Sequence, residues 1–465
     1  MNASIPNSVA ARDKAFALHP FVDPLANIEP FVVTHGKGVR IFDEEGRGYI
    51  DAVAGLWCAS LGFDNERLAR AAYEQMRKLP FYHAFTGKTN VPLVDLSERL
   101  IQLAPSPMSK VFLANSGSEA NDTAIKLIWY YNNALKRPEK KKIIGRVRGY
   151  HGITLATASV TGQVVNHTSF DVPLARFHHV QTPLFYHNGL PGESEEDYAS
   201  RCAKELDDLI VAEGPDTVAA MFMEPIMGGG GVIVPPRSYY EKIQAVLRRH
   251  DVLVVADEVI CGFGRTGSYW GSQTMGIEPD ILTCAKALSA AFLPISAVLI
   301  GKKIVDAVAE ETHAIGTFGH GFTYSGHPVP AAVALETLKI YDEENIIGRA
   351  AETGQFLQAE LKRRLSDHPL VGDVRGAGLI AGVEIIADKA ERLNFAASDK
   401  IGPTLVRLCE AKGVILRSCP NDTIALSPPL IINAAEITEI IDRMEAGLDL
   451  IHSTLRSGKP AIAAA

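Results

Sequence analysis

Apolar positions along the chain fall into two regimes. Between residues 111 and 300, short apolar runs recur at 111–114, 143–144, 218–223, 252–256, 281–284 and 297–300. Each is too short for a helix and gives way to a polar or glycine-rich stretch. Amphipathic patterns fill several of the gaps, at 118–135, 195–212 and 239–250. Strands apolar on both faces, alternating with helices, predict a largely parallel sheet covered on both sides. Upstream, EEGRGYID at 44–51 reads as a tight turn entering a strand, so the N-terminal part predicts hairpins. Beyond about residue 328 the pattern turns helix-rich. Segments 331–345 and 350–366 are amphipathic, Gly376-Ala377-Gly378 leads into an apolar run at 379–385, and a helix over 432–455 closes the chain. The expected architecture is α/β, with a large domain at 61–327 and a smaller α+β domain at 328–465 to which residues 1–60 contribute. Only the ends, the first dozen residues and 457–465, read as loosely held.

Composition narrows the classes of function. The 465 residues are 47% hydrophobic and 22% charged with a net charge of −8, which argues against disorder and against a basic nucleic-acid face. The one basic run, Lys136 to Lys142, is interrupted by Pro138 and Glu139 and reads as a solvated helix exit. The strongly apolar uncharged run at 287–301 has 15 residues and contains Pro294, too short to span a bilayer. Arg12, Asp13 and Lys14 stand where a signal peptide would need apolar residues. The six cysteines never form a CxxC pair, which suits free thiols in a reducing, cytoplasmic compartment. His178-His179 lacks a second ligand pair at metal spacing, so no metal site is expected.

A parallel sheet binds ligands beyond the carboxyl ends of its strands, so the residues after each apolar run are the candidates for chemistry. After the first run stands Asn115-Ser116-Gly117-Ser118-Glu119. Ser116 with Glu119 matches a capping box, while Gly117 and Ser118 at a helix start also suit a phosphate. Arg148 to Gly152 follows the second run. Asp257 ends the apolar run at 252–256, where an acid is costly unless a cation meets it or it caps a turn. Lys286 is the one charged residue between Asp280 and Lys302. It either snorkels to the surface or is a buried amine of lowered pKa, hence a nucleophile. The Gly228 to Gly231 run has no lysine or helix cap beside it and reads as a flexible turn.

Together these segments resemble the class III aminotransferases, pyridoxal 5′-phosphate (PLP) enzymes of fold type I, and most nearly the ω-amino acid or amine:pyruvate transaminases. The likeness runs from about Thr34 through the C-terminal helix. THGKGVRIFDEEGRGYIDAVAGLW (34–57), NSGSEAND (115–122), YHG (150–152), MEPIMGGGG (223–231), DEVICGFGRTG (257–267), Lys286 and GFTYSGHP (321–328) arrive in the family's order. The resemblance implies that Lys286 attaches the cofactor and later moves the proton, and that Asp257 partners the pyridine nitrogen. Val259 and Tyr150 would lie on the two faces of the ring. Gly117 and Ser118 would hold the phosphate, with Thr323 from the neighbouring subunit. Glu224 matches a supporting carboxylate. A homodimer with shared active sites is implied, and dimers could pair as tetramers. The family usually has a glycine near 289–294, where this chain has Ala290-Ala291, and that leaves the loop beside the cofactor less defined.

Trp57 and Phe85 match the aromatic substrate pocket of the amine:pyruvate transaminases, and Arg417 matches the mobile arginine that grips the acceptor's carboxylate. The expected activity is ping-pong transfer of an amino group from a primary amine or ω-amino acid to pyruvate. An aminomutase or decarboxylase on the same cofactor is the alternative, and a non-catalytic PLP-binding regulator a more distant one.

Overall fold

The computed structural model of the chain describes residues 7–26 and 28–457. The outermost parts of both expected loose ends, 1–6 and 458–465, lie outside the described residues. Within the first dozen, Val9 already begins a helix, Val9–Phe16, capped by Ser8.

The central sheet has seven strands in the order Met108–Ala114, Ser296–Gly301, Ile281–Cys284, Leu253–Asp257, Val218–Met223, Lys142–Arg146 and Phe177–Val180. Only Ser296–Gly301 runs against the rest, pairing antiparallel with both of its neighbours. The remaining pairs are parallel. The reason lies in the sequence: Val218–Met223, Leu253–Asp257 and Ile281–Cys284 are buried at every position, which only a sheet covered on both faces provides. Helices Gly117–Ala134, Glu195–Glu213 and Tyr239–Arg249 fall on the predicted amphipathic stretches. Phe177–Val180 was not anticipated, because FHHV at the sheet edge carries two histidines in place of an apolar run. His179 turns its Nε2 to the carbonyl of Val160 at 3.0 Å.

The expected N-terminal hairpins are present. Val33–Lys37, Arg40–Asp43 and Gly48–Asp51 form an antiparallel meander, and Val414–Ile415 adds a parallel strand beside Ile50 and Asp51. The two ends of the chain therefore share one sheet. A third, antiparallel sheet joins Val371–Ala377, Ile380–Ile385, Thr423–Leu426 and Arg417–Cys419. Its first hairpin turns at Gly378, whose φ is +56° and whose missing Cβ would lie 2.6 Å from the Gly267 nitrogen, so glycine alone fits.

Helix Pro328–Glu343 packs on Glu66–Lys78 and Val91–Leu103, and the fully buried Trp270 and Phe263 belong to the same core cluster. Buried Tyr341, near the end of that long helix, donates to the Ala287 carbonyl at 2.6 Å and meets Ser60 Oγ at 2.6 Å. One phenol thus ties the N-terminal segment to the backbone beside Lys286.

Candidate active site

The residues singled out at strand ends converge on one cavity of about 360 Å³. Gly117 and Ser118 start the helix that follows Met108–Ala114. Ser116 caps it, its Oγ accepting from Glu119 N at 3.2 Å, while Glu119 reaches back one residue further than a capping box requires, to Asn115 N at 2.8 Å. The first-turn N–H groups of this 18-residue helix have no acceptor within it and carry its positive dipole end toward the cavity. A Cβ on Gly117 would sit 3.2 Å from the methyls of Val259, so a side chain there would crowd the wall.

Asp257 is 3% exposed, and its carboxylate is held from three sides. Oδ1 accepts from Val259 N at 3.1 Å, while Oδ2 accepts from Asn121 Nδ2 and His151 Nδ1, each at 2.8 Å. Thr283 Oγ1 donates to Asn121 Oδ1 at 2.8 Å, which fixes the amide with its N–H₂ toward Asp257. Asp257 is therefore both the turn cap and a buried, oriented carboxyl group at the cavity. Asn121 stands one helical turn beyond Gly117, and His151 sits in YHG. Both lie in motifs already noted, but nothing in the sequence shows that they meet.

Lys286 follows strand Ile281–Cys284 with φ at +49°, a strained backbone for a non-glycine residue and one concentrated at functional sites. Burial pulls its amine below the ordinary lysine range, against the opposing pull of Cys58, Asp257 and Glu224. Among the described residues no carboxylate is within ion-pair distance of its Nζ. The Nζ lies 5.6 Å from the centre of the Trp57 ring, and the Arg417 guanidinium carbon lies 4.8 Å from the same ring. One indole thus lies against both basic side chains of the cavity. Arg417 also lacks a carboxylate partner among the described residues, and of the guanidiniums it is the one that lines this cavity.

Glu224 is buried and accepts from two backbone donors, Tyr150 N at 2.9 Å and Gly228 N at 3.0 Å. Tyr150 lines the cavity, and burial raises its phenol pKa. The reading of Gly228 to Gly231 as a flexible turn is corrected. The turn is closed by a bridge between Met227 and Ile233, and a Cβ on Gly230 would lie 2.5 Å from the Arg148 carbonyl. Close packing calls for glycine at 228, 230 and 231, where a Cβ would lie 2.6, 2.5 and 2.8 Å from its nearest neighbour. Ala290 and Ala291, at the family's glycine position, adopt φ of +48° and +66°.

Phe85 and Thr323 are not brought to the cavity of their own chain. Phe85 is 44% exposed, with its ring edge 3.0 Å from where a Cβ on Gly321 would stand, and Thr323 is exposed in the same region. The structure adds Leu56, Gln163 and the pair Pro20-Phe21 to the cavity wall. Leu56 adjoins Trp57 in its motif, but Gln163 and Pro20-Phe21 stand in segments without a recognisable motif.

This strand-end constellation matches a known family across nearly the whole chain: the family model for aminotransferase class-III covers residues 23–448. The chain is a class III aminotransferase. Among relatives of this transferase, gamma aminobutyrate transaminase 1 of Solanum lycopersicum is 44% identical over 94% of this chain and 86% of its own. The diaminobutyrate–2-oxoglutarate transaminase of Halomonas elongata is 43% identical over 91% of each. Among solved structures, the ω-transaminase from Pseudomonas jessenii in complex with PMP superposes with a TM-score of 0.94 at 50% identity, covering 97% of this chain and 99% of that one. Class III aminotransferases use PLP, and the residues here fit that group: unsatisfied N–H groups for a phosphate, an oriented buried carboxylate for a ring N–H, and an unpaired buried amine.

Proposed function

We propose that this aminotransferase moves an amino group from a primary amine or ω-amino acid to pyruvate by alternating half-reactions. The observation that carries the reading is Arg417, a guanidinium laid on Trp57 with no carboxylate partner among the described residues, in a cavity whose lining includes the apolar Leu56, Val259 and Ile260. Those apolar walls suit the body of an uncharged amine. A single guanidinium suits one carboxylate, that of pyruvate or of an ω-amino acid, by a bidentate pair. A dicarboxylate such as 2-oxoglutarate, the acceptor in the name of the Halomonas relative, would find no second guanidinium in the lining of this cavity. The relatives named for 4-aminobutyrate and for ω-transamination support amino transfer over mutase or decarboxylase chemistry.

In this reading Gly117 and Ser118 hold the cofactor phosphate, Val259 and Tyr150 flank its ring, and Lys286 attaches it covalently. Bound PLP supplies an electron-withdrawing ring that acidifies the substrate Cα–H. Asp257, oriented by His151 and Asn121, would hold the proton on the ring nitrogen. Lys286, its pKa lowered by burial, would carry the proton from substrate Cα. A second copy of the chain would bring Phe85 and Thr323 to the site, as a homodimer. The test is a donor panel of β-alanine, taurine, putrescine, 4-aminobutyrate and the 1-phenylethylamine enantiomers. Alanine formed from pyruvate is read beside glutamate formed from 2-oxoglutarate. Alanine from at least one donor, well above glutamate, supports the reading; preferential glutamate overturns it.

A further inference from the structure

Behind the cavity wall lies a buried charged cluster that the proposed chemistry does not use. Arg375, on strand Val371–Ala377, is 8% exposed and spends every N–H of its guanidinium. Nη1 donates to Asp373 at 2.8 Å and to Glu384 at 2.6 Å. Nε donates to the carbonyls of Gly231 at 3.1 Å and Val232 at 3.0 Å, and Nη2 to Gly231 again at 2.7 Å and to Thr423 Oγ1 at 3.3 Å. Glu384 is fully buried, and its other oxygen is taken by His187.

We infer that Arg375 is a positioning residue for keto-acid recognition, locking the glycine turn at 228–231 and the bed beneath Trp57 to the strand that carries Arg417. The inference deepens, and rests on, the keto-acid reading of Arg417 above. Two routes lead from the guanidinium to the cavity. On one side, the Gly231 carbonyl belongs to the turn whose Gly229 lines the cavity and whose Gly228 N–H binds Glu224, the carboxylate that also holds the Tyr150 backbone. On the other side, Thr423 pairs with Cys419 across the hairpin on which Arg417 faces Ala425. Val232, Cys419 and Ala425 share one packed cluster with Trp57, the ring on which Arg417 rests. The planar fork matters because its donors point in fixed, divergent directions. An ammonium at the same place would reach one of these carbonyl sets and lose the others.

The test uses the holoenzyme of Arg375→Lys, with Arg375→Met/Glu384→Gln as the second variant, because removing the arginine alone strands a buried carboxylate. Each is measured for pyruvate KM, for the half-reaction with 1-phenylethylamine, and again in an Arg417→Ala background. A small displacement of a substrate-gripping group costs on the order of tenfold or more. The expected result is a roughly tenfold rise in pyruvate KM, an amine half-reaction within about twofold of wild type, and no added effect when Arg417 is already alanine. Unchanged pyruvate KM in both variants while Arg417→Ala is impaired overturns the inference but leaves the keto-acid reading standing. So does an equal loss for amine and pyruvate, or a pyruvate defect that persists in the Arg417→Ala background. A normal pyruvate KM in Arg417→Ala overturns the reading, and the inference with it.

Discussion

Asp257 and His151 form a buried pair: the Nδ1–H of the imidazole donates to Asp257 Oδ2 at 2.8 Å, with the histidine 2% and the aspartate 3% exposed. Asn121 supports the same oxygen, so a carboxylate that would be costly to bury alone is hydrogen-bonded and aimed. Asp257→Asn removes the charge at nearly constant shape, and kcat should fall by several kcal/mol equivalent, as for other preorganised contacts. His151→Phe should cost less, about 1.5–3 kcal/mol, because Asn121 remains. Stopped-flow measurement of the amine half-reaction checks both. A histidine variant as damaged as Asp257→Asn would mean that His151 acts by another route, and an unaltered Asp257→Asn would remove the aspartate from the chemistry.

Lys286 is the cofactor's covalent anchor in the proposed function. Lys286→Ala should still bind PLP, through the helix N-terminus and Asp257, but lack the visible absorption of the covalently attached form and lose transfer almost wholly. Near-normal turnover in this variant would assign attachment and proton movement to another residue.

The two alanines at 290 and 291 carry the same left-handed strain in different surroundings. A non-glycine residue in that region costs about 1–2 kcal/mol. Ala291 is exposed, so Ala291→Gly should relieve the strain at little loss and raise stability by about 0.5–1 kcal/mol. Ala290 is fully buried, and Ala290→Gly forfeits a packed methyl worth about 0.8 kcal/mol, leaving little net change. Denaturant midpoints of the two variants give the comparison. A less stable Ala291→Gly would contradict the strain.

Glu258 sets a pH dependence of stability. Its carboxylate is fully buried and accepts from Gly271 N at 2.9 Å and from Ser272, yet burial outweighs these bonds and pushes its pKa up to about 7 from 4.5. Between those values the folded chain holds a proton that the unfolded chain has released. The contribution is therefore fully present below about pH 4.5 and is lost as pH rises through about 7. The expected loss is a few kcal/mol over that window. Wild type minus Glu258→Gln, followed by denaturant midpoint from pH 5 to pH 8, should slope downward. Parallel profiles would show that the group is ionised throughout.

Much of this was legible because strands buried on both faces, such as Val218–Met223 and Leu253–Asp257, leave an unbroken apolar run, and the chemistry follows directly after each. The edge strand Phe177–Val180 was not legible, since one open side tolerates His178 and His179. Nor was the Asp257 network. Asn121 and His151 stand 136 and 106 residues from the aspartate, and only the sheet order brings them together. Gly228 to Gly231 misled because glycine serves close packing as readily as mobility, and sequence does not distinguish the two.

The central claim is that Arg417 grips the acceptor's carboxylate while a simple amine uses only the apolar walls. The most direct measurement is the pair of half-reactions in Arg417→Ala, one with pyruvate and one with 1-phenylethylamine. Loss of one charge-assisted pair costs about 1.5–3 kcal/mol, so the pyruvate KM should rise roughly ten- to a hundredfold or more. The amine half-reaction should stay within about twofold, with an ω-amino acid donor between the two. Equal losses for pyruvate and the amine would contradict the account, making Arg417 a prop for the Trp57 ring and not the acceptor's anchor.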